Sequence, residues 1–500
     1  MLMTLLTVLE RITEKFGDDS LLDIEKGRTS EVVISNTVNS LIKELAESEI
    51  RKIEEKYKKK LEINPELDRK LVSFQANKVE PIYRWFKYRE GFSKTLIEYL
   101  LKDSGAKQGS HILDPFAGTG ITCFTANNQN FSSTALELLP VGADFIRKRM
   151  LLGKIPFGKI VAFAEHLKSQ KPWKKSASLK KFGHLRITAG AFSEQTELEM
   201  GKFRSWAEQL SEPDKSIADL ICYSILEEIS YTRKDGQYLR WDHRAPRIGL
   251  KSKFDKGAIL SFTDAVEKKC TQIIDDLQNS LTDTFDHSDF SPKLLEGQNF
   301  ATINQIKNNS VDFVITSPPY CNRYDYTRTY ALELAYLGND EAAVKQLRQA
   351  LLTCTVENKP KNLVKTVGEK NLFLAKSAFD GCKALQATLL YLNEQKEKDL
   401  LNNPGIYAMV YGYFLEMSVH LTQVVEKMKS GSRYYMVNDN VKYAGLDIPV
   451  DCMLTEIAED LGFVCRKIWV LPVGKGNSSQ QMKIHGRSEL RKCIYVWEKM

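Results

Sequence analysis

Four consecutive residues, Ser317-Pro318-Pro319-Tyr320, carry groups that could bind and orient a substrate. They offer a hydroxyl, a proline carbonyl with no competing N–H, and an aromatic ring. The apolar run before them, Val311 to Ile315, is interrupted only by Asp312 and predicts one buried strand. Two prolines cannot donate ladder hydrogen bonds, so the strand must end there in a stiff loop. Open parallel sheets bind ligands at this carboxyl end of their strands.

A second stretch predicts a nucleotide-type binding unit. His111 to Leu113 can form a short strand, Asp114 to Gly120 a tight glycine turn, and Ile121 the start of a helix. Ser133 to Glu137 then predicts a second strand that ends in an acid, followed by a turn at Pro140. Glycine lets the backbone approach a ligand closely, and a helix N-terminus offers free amides. Glu137 has the spacing at which a carboxylate meets a ribose.

These two stretches together resemble a known family. The glycine loop resembles the cofactor motif of S-adenosylmethionine-dependent methyltransferases, and its DPFAGTG form is similar to that of the DNA amino-methyltransferases. Those enzymes also carry Asp, Asn or Ser followed by Pro-Pro and an aromatic residue, which Ser317 to Tyr320 match. The resemblance covers most of residues 81–150 and 290–500. It implies an α/β fold with a doubly wound, Rossmann-like methyltransferase sheet.

The resemblance also suggests a domain organisation. We expect a helical N-terminal extension over residues 1–80 and the cofactor-binding half of the methyltransferase domain over 81–150. An insertion over 151–290 is the predicted target-recognition region. Residues 291–500 form the catalytic half, with a helical insertion at 339–404 that could share in recognition.

The resemblance implies that S-adenosylmethionine is the cofactor. The glycine loop would hold its methionine and backbone part, Glu137 would bind the ribose hydroxyls, and Gln298 or Asn299 would take the place of an acidic residue that contacts the adenine. The predicted cofactor-binding residues are Asp114, Phe116, Ala117, Gly118, Thr119, Gly120, Glu137 and Gln298.

The predicted catalytic residues are Ser317, Pro318, Pro319 and Tyr320. The Ser317 hydroxyl and Pro318 carbonyl would accept hydrogen bonds from the two N–H groups of an amine and so free its lone pair for methylation. Tyr320 would stack on a flipped-out base. Serine at the first position favours cytosine N4 in the family. Adenine N6 is the alternative, followed by an RNA base, and a non-catalytic binding module is the hypothesis from another class. Methylation at cytosine C5 is disfavoured because the sequence has no Pro-Cys pair for its nucleophile, and Cys321 is interpreted as a packing residue.

The predicted partner is double-stranded DNA. Within Ile229 to Arg247, a probable hairpin with a turn at Asp235-Gly236 is rich in cationic and aromatic side chains. It is either a basic hairpin with a buried Trp241 or a contact with DNA, and its place in the insertion favours DNA. The predicted DNA-binding residues are Arg233, Lys234, Tyr238, Arg240, Trp241 and Arg323. A cognate restriction endonuclease is a further candidate partner, whose existence the sequence leaves open.

Composition sets wider bounds. The chain has 500 residues, of which 43% are hydrophobic and 27% charged, as in a globular protein. Its net charge of +7 permits a polyanionic partner without requiring one. Nine scattered cysteines without a metal-ligand spacing predict reduced thiols in a cytoplasm and no metal. No apolar run predicts a membrane span, and the N-terminal residues 1–16 predict an amphipathic helix. Lys475 to Arg487 predict a polar loop suited to hydrogen-bonding a base or a backbone. The aromatic and basic segment Pro81 to Ser93 favours a hydrophobic lid over a ligand clamp.

Overall fold

The computed structural model describes residues 31–235, 238–247, 249, 251–279, 291–472, 475–476 and 489–500. For residues 31–37, 238 and 475–476 it describes the backbone alone. The apolar N-terminal segment 1–16, predicted as an amphipathic helix, lies outside these ranges, as does most of the polar loop predicted at 475–487.

An eight-stranded sheet forms the centre of the protein. Its order is β1-β11-β14-β8-β7-β2-β3-β6. Neighbouring strands are parallel except at β14, which runs antiparallel to both β11 and β8. The strands of this sheet are β1 Leu61–Ile63, β2 His111–Asp114, β3 Ser132–Glu137, β6 Lys293–Glu296, β7 Val311–Thr316, β8 Met428–Asp439, β11 Phe463–Val470 and β14 Lys492–Lys499. The predicted α/β class with a largely parallel sheet is confirmed.

Three antiparallel pairs complete the strands of the described ranges. They are β4 Thr232–Asp235 with β5 Tyr238–Trp241, β9 Val441–Tyr443 with β10 Leu446–Ile448, and β12 Lys475–Gly476 with β13 Glu489–Leu490. The α-helices are Glu31–Tyr57, Lys94–Ser104, Ile121–Asn127, Pro140–Leu152, Phe157–Gln170, Glu194–Ala207, Asp214–Ser224, Leu226–Ile229, Phe262–Gln278, Asn299–Thr302, Tyr326–Thr329, Ala331–Tyr336, Glu341–Ala350, Leu363–Gly381, Lys383–Glu397, Ile406–Lys427 and Val450–Asp460. Of these helices, none is long and apolar enough to cross a membrane.

The strand order reverses between β2 and β7. From β2 the chain builds outward through β3 to β6, whereas from β7 it builds through β8 in the opposite direction. Such a reversal opens a crevice outside the carboxyl ends of the two central strands, where open α/β sheets bind ligands. The glycine loop follows β2, and Ser317-Pro318-Pro319-Tyr320 follows β7. Both predicted motifs therefore lie at this switch point.

Residues 151–279 build a second hydrophobic core beside the sheet. The predicted aromatic lid belongs to it in part, and all five of its aromatic side chains are buried: Tyr83, Trp85, Phe86, Tyr88 and Phe92. Asp276 anchors the lid, because its Oδ2 accepts hydrogen bonds from Trp85 Nε1 at 2.7 Å and from the Ile82 backbone N–H at 3.0 Å. The prediction of a lid is confirmed.

Two local predictions require correction. Pro140, predicted as a turn, is the first residue of the helix Pro140–Leu152, a position that proline tolerates because its missing N–H is not needed there. The N-terminal extension is not purely helical, since Leu61–Ile63 pairs with β11 and adds a strand to the edge of the sheet.

Candidate active site

A cavity that opens to solvent, with about 830 Å³ of empty space, lies at the switch point. Its walls come from the loops after β2, β3, β6 and β7, together with the segment 88–92 and residues 350–352. Seven of the eight predicted cofactor residues line it: Asp114, Phe116, Ala117, Gly118, Thr119, Glu137 and Gln298. Ser317 and Pro319 line it as well. The structure thus brings the two motifs to one cavity.

Asp114 connects the two motifs. Its carboxylate is buried and accepts hydrogen bonds from Thr122 Oγ1 at 2.6 Å, at the start of the helix after the glycine loop, and from Thr316 Oγ1 at 2.7 Å, at the end of β7. The Phe116 backbone N–H donates a third at 3.1 Å. Burial raises the pKa of Asp114 to about 6, although these hydrogen bonds act in the opposite direction. A single carboxylate therefore fixes the glycine loop relative to the Ser317 loop.

Glu137 closes the glycine loop from the end of β3. One carboxylate oxygen accepts from the Gly118 backbone N–H and the other from the Leu139 N–H, each at 2.6 Å. Burial raises the pKa of Glu137 to about 8, and the two backbone donors lower it only in part. The side chain still lines the cavity, where a ligand with hydroxyl groups could donate to it.

Gly142, which the sequence motifs did not include, allows the next helix to pack against the glycine loop. A Cβ atom at this position would lie 2.3 Å from the Gly118 carbonyl oxygen and 3.0 Å from Glu137 Cγ. Gly118 itself has a φ of +54°, a left-handed conformation that favours glycine. Only a glycine at 142 permits this approach. A glycine early in the helix after an acidic strand end was the available signal.

The Ser317 loop keeps its hydroxyl at the cavity. Ser317 Oγ lies 2.9 Å from the Tyr320 hydroxyl, so the first and last residues of the tetrapeptide are hydrogen-bonded. Pro318 and Tyr320 are absent from the cavity wall as the structure describes it, and so is Gly120, which caps the following helix with a φ of +76°. Cys321 is fully buried in the main core, as expected of a packing residue.

The lid segment also lines the cavity, through the side chains of Tyr88, Glu90 and Phe92 and through Gly91. Tyr88 stacks on Tyr330 with ring centroids 4.9 Å apart, and its ring lies against Gly118. Glu90 accepts hydrogen bonds from the hydroxyls of Tyr324 and Tyr330, and burial raises the pKa of its carboxyl. The sequence favoured a lid over a ligand clamp for this segment, so the contribution of Glu90 to the site was missed.

Gln298 and Asn299 reach the cavity from the loop after β6. Gln298 Nε2 donates to the Ala350 carbonyl at 3.2 Å. Asn299 is held more firmly: its Nδ2 donates to the Pro115 carbonyl at 2.8 Å, and its Oδ1 lies 2.9 Å from His420 Nδ1. Burial lowers the pKa of His420 to about 3, so this ring is neutral and serves the packing of the site.

The predicted hairpin exists as the pair β4 and β5. The guanidinium groups of Arg233 and Arg240 both lie over the Phe254 ring, at 4.7 and 4.2 Å from its centroid. Trp241 is half-buried, and Arg247 lies over its ring at 4.5 Å. The side chain of Tyr238 and the turn residue Gly236 lie outside the described residues.

Lys234 does not fit the predicted role in DNA contact. Its side chain is only 3% exposed, and its ammonium pairs with Glu333 and lies 4.3 Å from the Tyr330 ring centroid. Alternation along β4 turns this residue inward while Arg233 faces outward. Lys234 is therefore an internal cation. Arg323, the remaining predicted DNA contact, is half-buried with a φ of +68°, three residues after Tyr320.

The described residues contain no group of three or more His, Cys, Asp or Glu side chains arranged to hold a metal ion. The donor set around the cavity is instead one of backbone amides, carboxylates and aromatic rings. Such a set suits an organic ligand with hydroxyl groups and a planar ring.

Comparisons with known proteins agree with this site. No family model matches the chain. The chain is 43% identical over 454 residues to the type II methyltransferase M.AvaI of Nostoc sp. (strain PCC 7120), an alignment that covers 89% of this chain and 92% of the relative. It is 40% identical over 469 residues to the type II methyltransferase M.BsoBI of Geobacillus stearothermophilus, covering 90% and 91%. With both motifs meeting at one cavity and near full-length relatives at this identity, the chain belongs to the type II methyltransferases.

Proposed function

We propose that this methyltransferase is a site-specific DNA methyltransferase that transfers a methyl group from S-adenosylmethionine to the exocyclic N4 amine of a flipped-out cytosine. The observation that carries the proposal is that Ser317 lines the same cavity as the glycine loop. The two type II relatives support action on DNA at specific sites, within a restriction-modification system. The serine in the first position of the tetrapeptide favours cytosine N4 over adenine N6.

The cavity fits the proposed cofactor. The left-handed Gly118 and the glycine at 142 bring the loop backbone close to any ligand there. Glu137 offers a carboxylate to ribose hydroxyls, while Gln298 and Asn299 stand at the far wall for the adenine. The sulfonium of S-adenosylmethionine supplies an electrophilic methyl group. The residues of this chain then have only to position an acceptor amine.

The Ser317 loop would position that amine. Ser317 Oγ and the Pro318 carbonyl oxygen can accept hydrogen bonds from the two N–H groups of the substrate amine. These bonds draw its nitrogen towards tetrahedral geometry and free the lone pair. Tyr320, whose hydroxyl is hydrogen-bonded to that of Ser317, would stack on the extruded base. No metal and no covalent intermediate are required. The proton lost after transfer passes to solvent or to a nearby acceptor.

Two assays test the proposal. Labelled S-adenosylmethionine is incubated in parallel with plasmid DNA and with RNA, and the expected result is methyl label in the DNA. Mass spectrometry of the digested nucleosides is then expected to show N4-methylcytosine. N6-methyladenine would leave the enzyme proposal intact and change the base, whereas label in RNA alone would overturn the DNA assignment.

Cofactor binding is expected to release a proton through Glu137. Its pKa of about 8 means that the carboxyl of the free protein is mostly protonated at pH 7. Because folding raises this pKa, the contribution of Glu137 to the free energy of unfolding is complete below pH 4.5 and is lost as the pH rises through 8. Ribose hydroxyls favour the ionised form, so binding of S-adenosylhomocysteine releases about one proton at pH 7. Calorimetry in buffers of different ionisation enthalpy measures this release. Glu137→Gln should abolish it, and equal heats in all buffers for the unaltered protein would contradict it.

Arg233 and Arg240 are proposed to contact DNA phosphates from the hairpin. The double replacement Arg233→Ala and Arg240→Ala is expected to make the plot of log affinity against log salt shallower by about 2, because each phosphate contact contributes about 1. Fluorescence anisotropy with labelled duplex measures the slope. Arg466→Ala is the matched control, since Arg466 is also an exposed arginine paired with a carboxylate, Glu498, at 2.7 Å. An unchanged slope in the double variant would exclude the hairpin from the interface.

A further inference from the structure

A buried ion pair lies directly behind the Ser317 loop. Lys492, the first residue of β14, is opposite Asp439, the last residue of β8, and its Nζ lies 2.8 Å from Asp439 Oδ1. The two side chains are 13% and 3% exposed. Neither residue belongs to a motif used above. Their position at the ends of two central strands brings them to the same edge of the sheet as the cavity.

Lys492 also contacts the tetrapeptide. Its Nζ lies 3.4 Å from the Tyr320 hydroxyl oxygen and 4.9 Å from the centroid of the Tyr320 ring. The Tyr320 hydroxyl in turn lies 2.9 Å from Ser317 Oγ. A continuous polar chain therefore runs from Asp439 through Lys492 and Tyr320 to the hydroxyl at the cavity.

The chemistry of the ammonium gives this chain a direction. An ammonium group has three donors and no acceptor, so Lys492 can only donate to the Tyr320 oxygen. The Tyr320 hydroxyl proton is then directed to Ser317 Oγ, which keeps a lone pair for an incoming amine N–H. The same cation lies over one face of the Tyr320 ring, so a stacked base would have to lie on the opposite face.

We propose that Lys492, held in place by Asp439, is a positioning residue that orients Tyr320 and the Ser317 hydroxyl for the acceptor amine. The part of this inference that concerns the acceptor amine rests on the proposed function. The orientation of Tyr320 by Lys492 is a property of the free protein and can be tested separately.

The test uses variants that spare the fold. Lys492→Gln alone would leave the Asp439 carboxylate buried without its cation, which destabilises proteins strongly. The double variant Lys492→Gln and Asp439→Asn removes both charges and keeps similar side chains. The control is Lys429→Gln with Asp312→Asn, because that pair joins the second residues of β8 and β7 at 2.7 Å, at the opposite end of the strands.

Turnover on DNA is the first readout. In the Lys492 and Asp439 double variant we expect kcat to fall about 100-fold, the loss that a small displacement of a reacting group can cause. The affinity for S-adenosylhomocysteine should change less than about twofold, and Lys492→Arg should recover part of the lost turnover. An unchanged kcat would overturn the proposal. A joint loss of turnover, cofactor affinity and melting temperature would also overturn it, because that pattern marks a merely structural pair.

Tyrosine NMR is the second readout and needs no methyl transfer. Tyrosine is labelled at the ring carbon that bears the hydroxyl, and the Tyr320 signal is assigned from its loss in Tyr320→Phe. In the Lys492 and Asp439 double variant, loss of the ammonium should raise the pKa of Tyr320 and shift this signal. An unaltered Tyr320 signal would overturn the inference even in an active enzyme. If the unaltered protein methylates no DNA, the proposed function fails while this experiment still decides the role of Lys492.

Discussion

Replacement of Ser317 by alanine is expected to lower the methylation rate by a factor of about 10² to 10³, the loss seen when one preorganised hydrogen-bonding group is removed from a reacting centre. The Pro318 carbonyl would be left to orient the acceptor amine alone, so its lone pair would less often face the methyl group. Single-turnover kinetics with labelled S-adenosylmethionine measures the effect on the chemical step.

Cofactor affinity should be nearly unaffected by Ser317→Ala, since the glycine loop, Glu137 and Gln298 remain in place. Ser310→Ala is the matched control, because Ser310 precedes the same strand and its Oγ donates to the Lys307 carbonyl at 2.6 Å, away from the cavity. Lost affinity for S-adenosylhomocysteine in the Ser317 variant would count against its assignment to the acceptor side. An unchanged rate would remove Ser317 from the mechanism.

Gly142→Ala is expected to weaken cofactor binding at least tenfold. The added methyl group would lie 2.3 Å from the Gly118 carbonyl oxygen, and because that oxygen belongs to the backbone, either the glycine loop or the helix Pro140–Leu152 must move. Overpacking of this kind typically costs about 1–3 kcal/mol. The displacement falls on the loop that meets the cofactor. Calorimetric titration with S-adenosylhomocysteine and thermal unfolding measure the two effects.

Gly158→Ala provides the control for that variant. Gly158 also lies in the first turn of its helix, Phe157–Gln170, and a Cβ there would meet nothing within 4 Å. Alanine should change stability by less than about 1 kcal/mol at this position and leave cofactor affinity unchanged. Equal binding by the Gly142 and Gly158 variants would show that the glycine loop tolerates displacement.

The motif-bearing strands could be predicted because their signals are local. Asp114 to Gly120 contains its own turn, and Pro318-Pro319 terminates β7 whatever surrounds it. Placing both at carboxyl strand ends then predicts that they meet, since parallel strands share that edge. The hydrogen bond from Thr316 Oγ1 to the Asp114 carboxylate joins the two motifs directly.

The rest depends on partners distant in the chain. Lys234 was predicted to contact DNA from its charge, yet it faces inward because Glu333 provides a buried carboxylate. Lys492 lies 172 positions from Tyr320, and nothing near it in sequence indicates that contact. Asp276 likewise accepts a hydrogen bond from the indole N–H of Trp85, which lies in a remote segment of the chain. Pairings of this kind follow from tertiary packing, which periodicity and composition do not encode.

The place of β14 in the sheet has a consequence for biosynthesis. This strand inserts between β8 and β11, which both precede it in the chain, and is hydrogen-bonded to both. Until the ribosome has translated β14, both neighbours expose unpaired edges, which are prone to intermolecular pairing. A nascent chain that lacks Lys492–Lys499 also lacks the ammonium behind Tyr320. Completion of the sheet and assembly of the proposed acceptor site are therefore one late event, and premature release would yield a chain both inactive and prone to aggregate.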